Sequence, residues 1–305
     1  MSLKILGILP HSIGGRLTIS SIFDGIVLNG HSVKILDLLK DFVIPDEEFD
    51  FIVGYGFSAI KFNKENNLNL KTINYFSDVI ETPAAGSGYD LYRECLYEDG
   101  NYSFYWDREL TKKSDYKNLF YMPHFVNTEI YKNLNLEKEY DVMFAGRLDT
   151  DYRLNSFVNL LKSLPNTNFA WFAIEKHFKE ALSRVEDKAL IEKVYKGFID
   201  NEKDMAVAIN KSKMVINFNS QGISSLNYRT FQTLACETLL ISDEREELYL
   251  FKNIIPTYKS LDDLKEIIRY YSCNDYSKIT KPCRKIIELN YNSNTCVKKM
   301  LDKVN

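Results

Sequence analysis

The stretch NYRTFQTLACETLLISDEREEL, residues 227–248, sets two kinds of side chain on one short helix. Phe231, Leu234 and Ala235 stand at i, i+3 and i+4 and predict an apolar face, while Arg229, Gln232, Thr233 and Cys236 make the other. The run TLLIS that follows reads as a strand, so the helix is expected to pack beside a sheet with its N-terminal end at a crevice rim. Such an end offers backbone N–H groups and a partial positive charge, and an arginine in its first turn opposes the dipole unless an anion is present. That suits a bound phosphate; the plainer reading is a solvated polar face carrying an incidental arginine. Upstream, MVINFNSQGISSLN reads as a strand entering a polar Gly-Ser loop, the place where ligands bind on open α/β sheets. Downstream, the carboxylates of DEREEL could hydrogen-bond sugar hydroxyls.

The elements that must position these residues alternate. LKILGIL (3–9) reads as a buried strand, PHSIGGR as a turn-rich loop, Thr18 to Leu28 as a helix stopped by Asn29-Gly30, and SVKILDLL as the next strand. This is how a doubly wound parallel sheet begins. Further strands are predicted at FDFIVGYG (49–56), KTINYFS (71–77), YSFYW (102–106) and NLFYMP (118–123), with an irregular insertion over 81–101 that contains AAGSGY. The polar, aperiodic run near 131–140 marks a boundary. A second series then follows: YDVMFAGRL, a helix in LNSFVNLLKSL, NFAWFAI, a charged helix near 177–193, VYKGFI, a helix at 202–211, MVINFN, and the opening stretch. The residues after Leu261 read as helical, interrupted by Pro282, and a C-terminal helix crossing back is consistent with two domains, 1–130 and 131–305.

Composition agrees with a soluble two-domain chain of 305 residues: 45% hydrophobic, 27% charged, net charge −3. Residues 1–130 carry 12 Lys+Arg and 18 Asp+Glu, which leaves 27 and 24 for the remainder, so the first part is −6 and the second +3. The second is the better holder of an anionic ligand. No basic stripe points to nucleic acid as the main partner. Five cysteines with no CxxC pair suggest neither a zinc knuckle nor a disulfide framework, and a reducing cytoplasm fits best. The start KILGIL is too short for a signal-peptide core, and no run of about 18 apolar residues predicts a membrane span.

On these segments the chain resembles the CgeB-like glycosyltransferases, related to glycosyltransferase families 1 and 4. NYRTFQTLACETLLISDEREEL is similar to their Arg-x-Phe-Glu-x-x-Ala-Cys-Gly helix, short strand and acidic segment. HSIGGR with LNGHSVKIL resembles their glycine loop and Gly-His-x-Val turn, FYMPHFVNTEIYKN the close of the first domain, and YDVMFAGRLDTDYR the opening of the second. The resemblance covers most of the chain and is weakest over 81–115. It implies an α/β, GT-B fold: two Rossmann-like domains with parallel sheets facing a central cleft, the acceptor held mainly by the first and the nucleotide-sugar donor by the second. Carried over residue by residue, Arg147 and Arg153 would approach the donor diphosphate. Arg229 and the amides near Asn227 would cap a phosphate, Gln232 stands where the family's ribose-binding Glu is, and Glu246 or Glu247 would contact the donor. Gly14 and Gly15 would let the backbone approach the donor phosphate or sugar, with Arg16 nearby. The sequence departs from the family at Gln232, at Glu237 in place of Gly, and at Ser224, where the retaining enzymes' partner glutamate would stand eight residues before Gln232.

The function this implies is transfer of a sugar from a nucleoside diphosphate, foremost a UDP-sugar, to a hydroxyl acceptor, with no cofactor. Such transfer passes through an oxocarbenium-like state, so charge grows on the departing diphosphate and, for inversion, a base must take the acceptor proton. His11 and Asp78 suit the base by their place after strands; a loop-ordering role for His11 and a helix-cap role for Asp78 are the plainer readings. His31 and His124 read as structural and His177 as surface. No Asp-x-Asp triplet suggests a metal site, since DTD at 149–151 reads as a turn, so transfer is expected to be metal-independent. Retention or inversion stays unassigned. A protein, a cell-wall polymer, a glycan or modified DNA would all fit as acceptor. A nucleotide- or glycan-binding module without turnover and a nucleotide-sugar epimerase are the rival readings.

Overall fold

Runs such as Ile5-Leu6 and Phe51-Ile52-Val53 are apolar at successive positions because their strands are covered on both faces, as parallel strands must be. In the computed structural model, which describes residues 2–40, 43–78, 80, 90–219 and 222–304, the strands are β1 (Lys4–Leu9), β2 (Ser32–Asp37), β3 (Phe51–Tyr55), β4 (Lys71–Phe76), β5 (Asn101–Tyr105), β6 (Leu119–Tyr121), β7 (Tyr140–Ala145), β8 (Phe169–Phe172), β9 (Ser212–Asn217), β10 (Leu239–Asp243) and β11 (Thr257–Tyr258). The helices are α1 (Ile13–Leu28), α2 (Ser58–Glu65), α3 (Asp90–Arg93), α4 (Arg108–Lys113), α5 (Asp151–Ser163), α6 (Glu175–Arg184), α7 (Lys188–Val194), α8 (Glu202–Asn210), α9 (Tyr228–Ala235), α10 (Leu261–Cys273), α11 (Ser277–Asn290) and α12 (Ser293–Val304). The chain divides into one unit of Met1–Asn127, Ser220–Tyr228 and Leu289–Asn305 and a second of Thr128–Asn219 and Arg229–Glu288.

The first unit holds a parallel sheet in the order β2-β1-β3-β4-β5-β6. Alternate strand residues enter different cores. Ile5, Phe51 and Val53 meet Ile19, Phe23 and Ile26 of α1 and Val297 and Met300 of α12, whereas Leu6, Ile8 and Ile52 meet Ala59 and Phe62 of α2. The second unit has the order β11-β10-β9-β7-β8, all parallel, over a core that includes Val142, Phe144, Trp171, Met214, Ile216, Leu239 and Ile241. Both sheets therefore share one winding. The first strand is flanked by the second on one side and the third on the other, which is the doubly wound arrangement expected.

Three local expectations change. PHSIGGR is not all loop: α1 begins at Ile13 after Ser12, and its glycines lie in the first helical turn. Pro282 does not interrupt a helix but lies inside α11, where buried Thr280, Cys283 and Ile287 anchor the segment against the loss of one backbone donor. VYKGFI forms only a bridge between Tyr195 and Trp171, and the charged helix before it is two helices, α6 and α7. In the insertion, α3 is followed by a 3-10 turn at Glu94–Tyr97; the AAGSGY stretch (84–89) and residues 220–221 of the Gly-Ser loop lie outside the described residues.

Helices α1 and α12 meet closely at Gly25. A Cβ there would lie 2.5 Å from the Ser293 carbonyl oxygen and would also strike the Val297 side chain. Gly25→Ala is expected to destabilise by about 1–3 kcal/mol through overpacking against backbone that cannot rotate away, read as a lowered melting temperature; an unchanged value would mean that α12 shifts freely.

Candidate functional site

In a doubly wound sheet, ligands bind outside the carboxyl ends of the strands where the winding reverses. In the second unit that point lies between β7 and β9. From β7 the chain turns through Gly146, Arg147, Leu148 and Asp149, and the turn is held from behind. Trp171 Nε1 donates to the Gly146 carbonyl (2.9 Å), Arg184 Nη1 donates to the carbonyls of Leu148 (3.1 Å) and Asp149 (3.0 Å), and Arg184 Nη2 pairs with Asp151 (2.7 Å). Arg147 itself keeps 51% of its side chain exposed, with Nε 3.5 Å from Asp149. Burial pushes the Asp149 carboxyl up, but Arg147 and Arg153 outweigh it and hold it below the usual carboxylate range. The DTD letters are thus accounted for by arginines and by Thr150, which caps α5 through the Arg153 N–H.

Arg153 differs from Arg147. Its side chain is 14% exposed, Nε and Nη2 donate to the Phe218 carbonyl at 2.9 and 2.6 Å, and Nη1 reaches Asp149 at 3.2 Å. Around it the exit of β9 is fixed residue by residue. Tyr258 donates its hydroxyl proton to the Asn217 carbonyl (2.6 Å), and Asn219 Nδ2 donates to Asp243 (2.6 Å). Of the two arginines expected at the diphosphate, Arg147 is open to an anion; Arg153 is engaged by the protein.

Helix α9 has no solvated face. Thr230, Gln232 and Thr233 are as buried as Phe231, Leu234 and Ala235. Hydrophobic periodicity misses this because Thr230 and Gln232 find partners inside. Gln232, 1% exposed, accepts from Arg229 Nη1 (2.6 Å) and donates to the Tyr131 hydroxyl, while Thr230 accepts from Asn217 Nδ2 (3.0 Å). Burial first, then the charge of Glu202, raises the Tyr131 pKa well above its ordinary value. In this structure Gln232 is therefore the link between Arg229 and Tyr131 and presents no open hydrogen-bonding edge. At the far end of the helix, Arg284 donates to the Ala235 carbonyl (2.7 Å), a cation where the dipole favours one. The position of Glu237 is explained there too. Glu237 has φ +55°, with Glu237 N–H bonded to the Leu234 carbonyl and Thr238 N–H to the Thr233 carbonyl: a Schellman C-cap whose left-handed residue is usually glycine. Glu246 and Glu247 separate as well. They sit in a 3-10 turn at Glu246–Phe251, where Glu247 is buried and exposed Glu246 lines a cavity of about 410 Å³ with Arg245, Leu248, Asn253 and Thr257.

In the first unit the winding reverses between β1 and β3. His11 is exposed just beyond β1, and Gly14 and Gly15 occupy the first turn of α1. A Cβ on Gly15 would lie 2.6 Å from the Tyr55 ring at the end of β3, whereas one on Gly14 would meet nothing within 4 Å. Tyr55 donates to Asp78 (2.9 Å) and lies 2.5 Å from the Ser77 hydroxyl, so Gly15, Tyr55 and Asp78 come together. Arg16 is engaged by the protein. It forms two hydrogen bonds to Asp37 (2.8 and 2.7 Å) and one to the Pro10 carbonyl (2.9 Å), and this guanidinium holds the Asp37 carboxyl down at about 2. Asn227 is half-buried in the segment before α9. Buried His124 stacks on Trp106 (5.8 Å between centroids) with Nδ1 3.2 Å from the Tyr75 hydroxyl, and burial pushes its pKa down to about 3, so it is a neutral structural group.

One residue escaped sequence reading. Asp107, 0% exposed, accepts from the backbone N–H groups of Leu110 (2.9 Å), Ile223 (2.6 Å), Ser224 (3.1 Å) and Ser225 (3.3 Å) and from the Ser224 hydroxyl (3.2 Å). Burial raises its pKa, but these donors more than offset it and leave the carboxyl below its ordinary range. The only local signal was an Asp ahead of a short helix, which reads as an N-cap and nothing more.

The fold is GT-B, the two-domain architecture of many sugar-transferring enzymes, as structural comparison shows. A glycosyltransferase from Rickettsia africae ESF-5 superimposes with a TM-score of 0.68 at 14% identity over 99% of this chain and 98% of that one. Anabaena Alr3699/HepE, solved in complex with UDP-glucose, gives 0.68 at 11% over 99% of each chain. The DNA modifying enzyme beta-glucosyltransferase, studied with and without uridine diphosphoglucose, gives 0.63 at 14% over 99% of each. Residues 155–301 match a protein family described as glycosyl transferase-like. By sequence, no curated protein matches the chain. Among the described residues no helix is long and apolar enough to cross a membrane, and no three His, Cys, Asp or Glu side chains are grouped to hold a metal ion.

Two stability tests follow from this geometry. Because Asp37 ionises more easily folded than unfolded, its pair contributes fully above the unfolded value of roughly 3.9 and is lost as pH falls toward 2. Arg16→Ala should cost about 1–3 kcal/mol at pH 7, and the gap in melting temperature to wild type should narrow between roughly pH 5 and pH 2; a gap constant with pH would exclude the ion pair as its source. Glu237→Gly should stabilise by about 1 kcal/mol by relieving a left-handed residue and leave any turnover unchanged. A loss of turnover in that variant would place Glu237 in the site rather than at a helix cap.

Proposed function

We propose that the protein transfers a sugar from a nucleoside-diphosphate donor, foremost a UDP-sugar, to a hydroxyl acceptor. The observation that carries this is Arg147: a half-exposed guanidinium, braced by Asp149 and a rigid turn, at the strand end where doubly wound sheets bind ligands. Negative charge grows on the diphosphate as the glycosidic bond breaks, and a fixed cation beside it lowers the barrier. Arg229, held by the Gln232–Tyr131 link, is the second cation of this reading. The sugar-nucleotide complexes of the Anabaena protein and of the DNA-modifying enzyme agree with such a donor. The CgeB-like resemblance of 227–248 belongs to the same reading.

Exposed His11 and the Tyr55-bound carboxylate of Asp78 are the groups we assign to the acceptor proton. Diphosphate stabilisation falls to arginines instead of a divalent ion, since Asp149 is held by Arg147 and Arg153 and Asp151 by Arg184. Five free cysteines, four of them buried, suit a cytoplasmic protein.

The purified protein, offered UDP-, GDP- and dTDP-sugars, should release nucleotide in the presence of an acceptor. Arg147→Ala is expected to cut kcat by about 10²–10³ while the melting temperature stays put, because the side chain packs against nothing in the core. Arg229→Ala should also lose turnover. Binding of the same donors by wild type with no release would instead favour a binding module, and interconversion of donors without acceptor an epimerase.

A further inference from the structure

In the first unit, the three consecutive N–H groups of Ile223, Ser224 and Ser225 point at one oxygen, Asp107 Oδ2, at 2.6, 3.1 and 3.3 Å. Successive backbone N–H groups turned inward make an anion-binding concavity. Here the anion is the protein's own carboxylate. The turn is shaped for it. Gly222 has φ +74°, and a Cβ on it would lie 2.7 Å from Asp107 Oδ2 and collide with the Trp106 ring and the Ser225 hydroxyl. Asp107 Oδ1 completes the grip, accepting from the Ser224 hydroxyl at 3.2 Å and the Leu110 N–H at 2.9 Å. An uncharged side chain of the same shape would not do as well. An amide in place of the carboxylate would direct a donor at one set of these N–H groups, and hydrogen bonds to an ionised acceptor are roughly twice as strong as neutral ones.

The turn so held, residues 222–225, leads through Asn227 into α9 and on to Arg229. Strand-to-helix connections at carboxyl ends are where doubly wound sheets meet their ligands. Such a connection gains precision when its backbone is fixed before the ligand arrives. Ile223, its own N–H in the nest, keeps 49% of its surface exposed while Ser224 and Ser225 are buried, so the clamp fixes a turn at the edge of the surface.

We propose that Asp107 is a positioning residue for sugar transfer: its carboxylate fills the nest of the 222–225 turn and presets the backbone that leads through Asn227 into α9 for the sugar-nucleotide. This rests on the donor reading given above. Asp107 is no candidate for the base, because it is sealed from solvent and five donors hold it ionised.

The test uses the full-length protein with Asp107→Ala, Asp107→Asn and Gly222→Ala, measured with and without sodium formate, the smallest carboxylate able to enter the vacated nest. Asp107→Ala should raise KM for the sugar-nucleotide about tenfold or more with kcat within threefold of wild type, and formate, unlike chloride, should restore it. Asp107→Asn and Gly222→Ala should show the KM effect without rescue, since the nest is blocked in both. Thermal shift is read in parallel: Asp107→Ala should melt lower and recover with formate, an outcome that needs no turnover. If wild type transfers no sugar yet this recovery is seen, the donor reading fails and the nest stands. The proposal is overturned if Asp107→Ala has wild-type KM, or if its loss of affinity is equally severe with and without formate.

Discussion

A single guanidinium organises the second unit. Arg153 projects from the first turn of α5, places two hydrogen bonds on the Phe218 carbonyl and one on Asp149, and so joins the end of β9 to the turn after β7. Those two strands are neighbours in the sheet, and the winding reverses between their carboxyl ends, the place where doubly wound sheets bind ligands. Without a donor on the Phe218 carbonyl the exit of β9 would carry an unpaired acceptor beside a buried aromatic, at a cost of about 1–3 kcal/mol. With it, Asp149 is fixed, and Asp149 in turn steadies Arg147 in the open. The residue available to an anion thus depends on the one that is not.

The same division runs through the other charged residues. Arg16 is absorbed by Asp37, Arg184 by two carbonyls of the β7 turn and by Asp151, and Arg284 by carbonyls at the end of α9 and at Tyr131. Each sits where a parallel α/β fold has carbonyls or a carboxylate to satisfy. A count of arginines near a phosphate motif therefore overstates the positive charge a ligand would meet. Exposure and prior partners decide it.

This also marks what the sequence could convey. The strands were legible because burial on both faces leaves unbroken apolar runs such as FDFIVGYG and MVINFN, and the strand–helix alternation implied two doubly wound sheets. The turn after β7 and the first turn of α1 were legible as places. The roles of Arg153 and Arg16 were not, because a guanidinium has the same letter whether it faces an anion or a carbonyl far away in sequence. Helix α9 misled for a related reason. Its polar residues keep helical spacing, and periodicity cannot distinguish a polar face in water from one bonded to Tyr131 and Asn217. Asp107 lay furthest out of reach, since its main partners are more than a hundred residues away in sequence.

Gln232 and Glu237 look alike as departures in sequence and differ physically. Glu237 occupies a left-handed C-cap, where glycine is favoured by backbone sterics alone, at the opposite end of α9 from Arg229. Its cost falls on stability. Gln232 stands in a buried chain where one side of the group must accept from a guanidinium and the other donate to a phenol. An amide meets both demands at once with no net charge, whereas a carboxylate can only accept and would rely on the Tyr131 hydroxyl turning to donate. The amide therefore fits the surroundings that this chain has built.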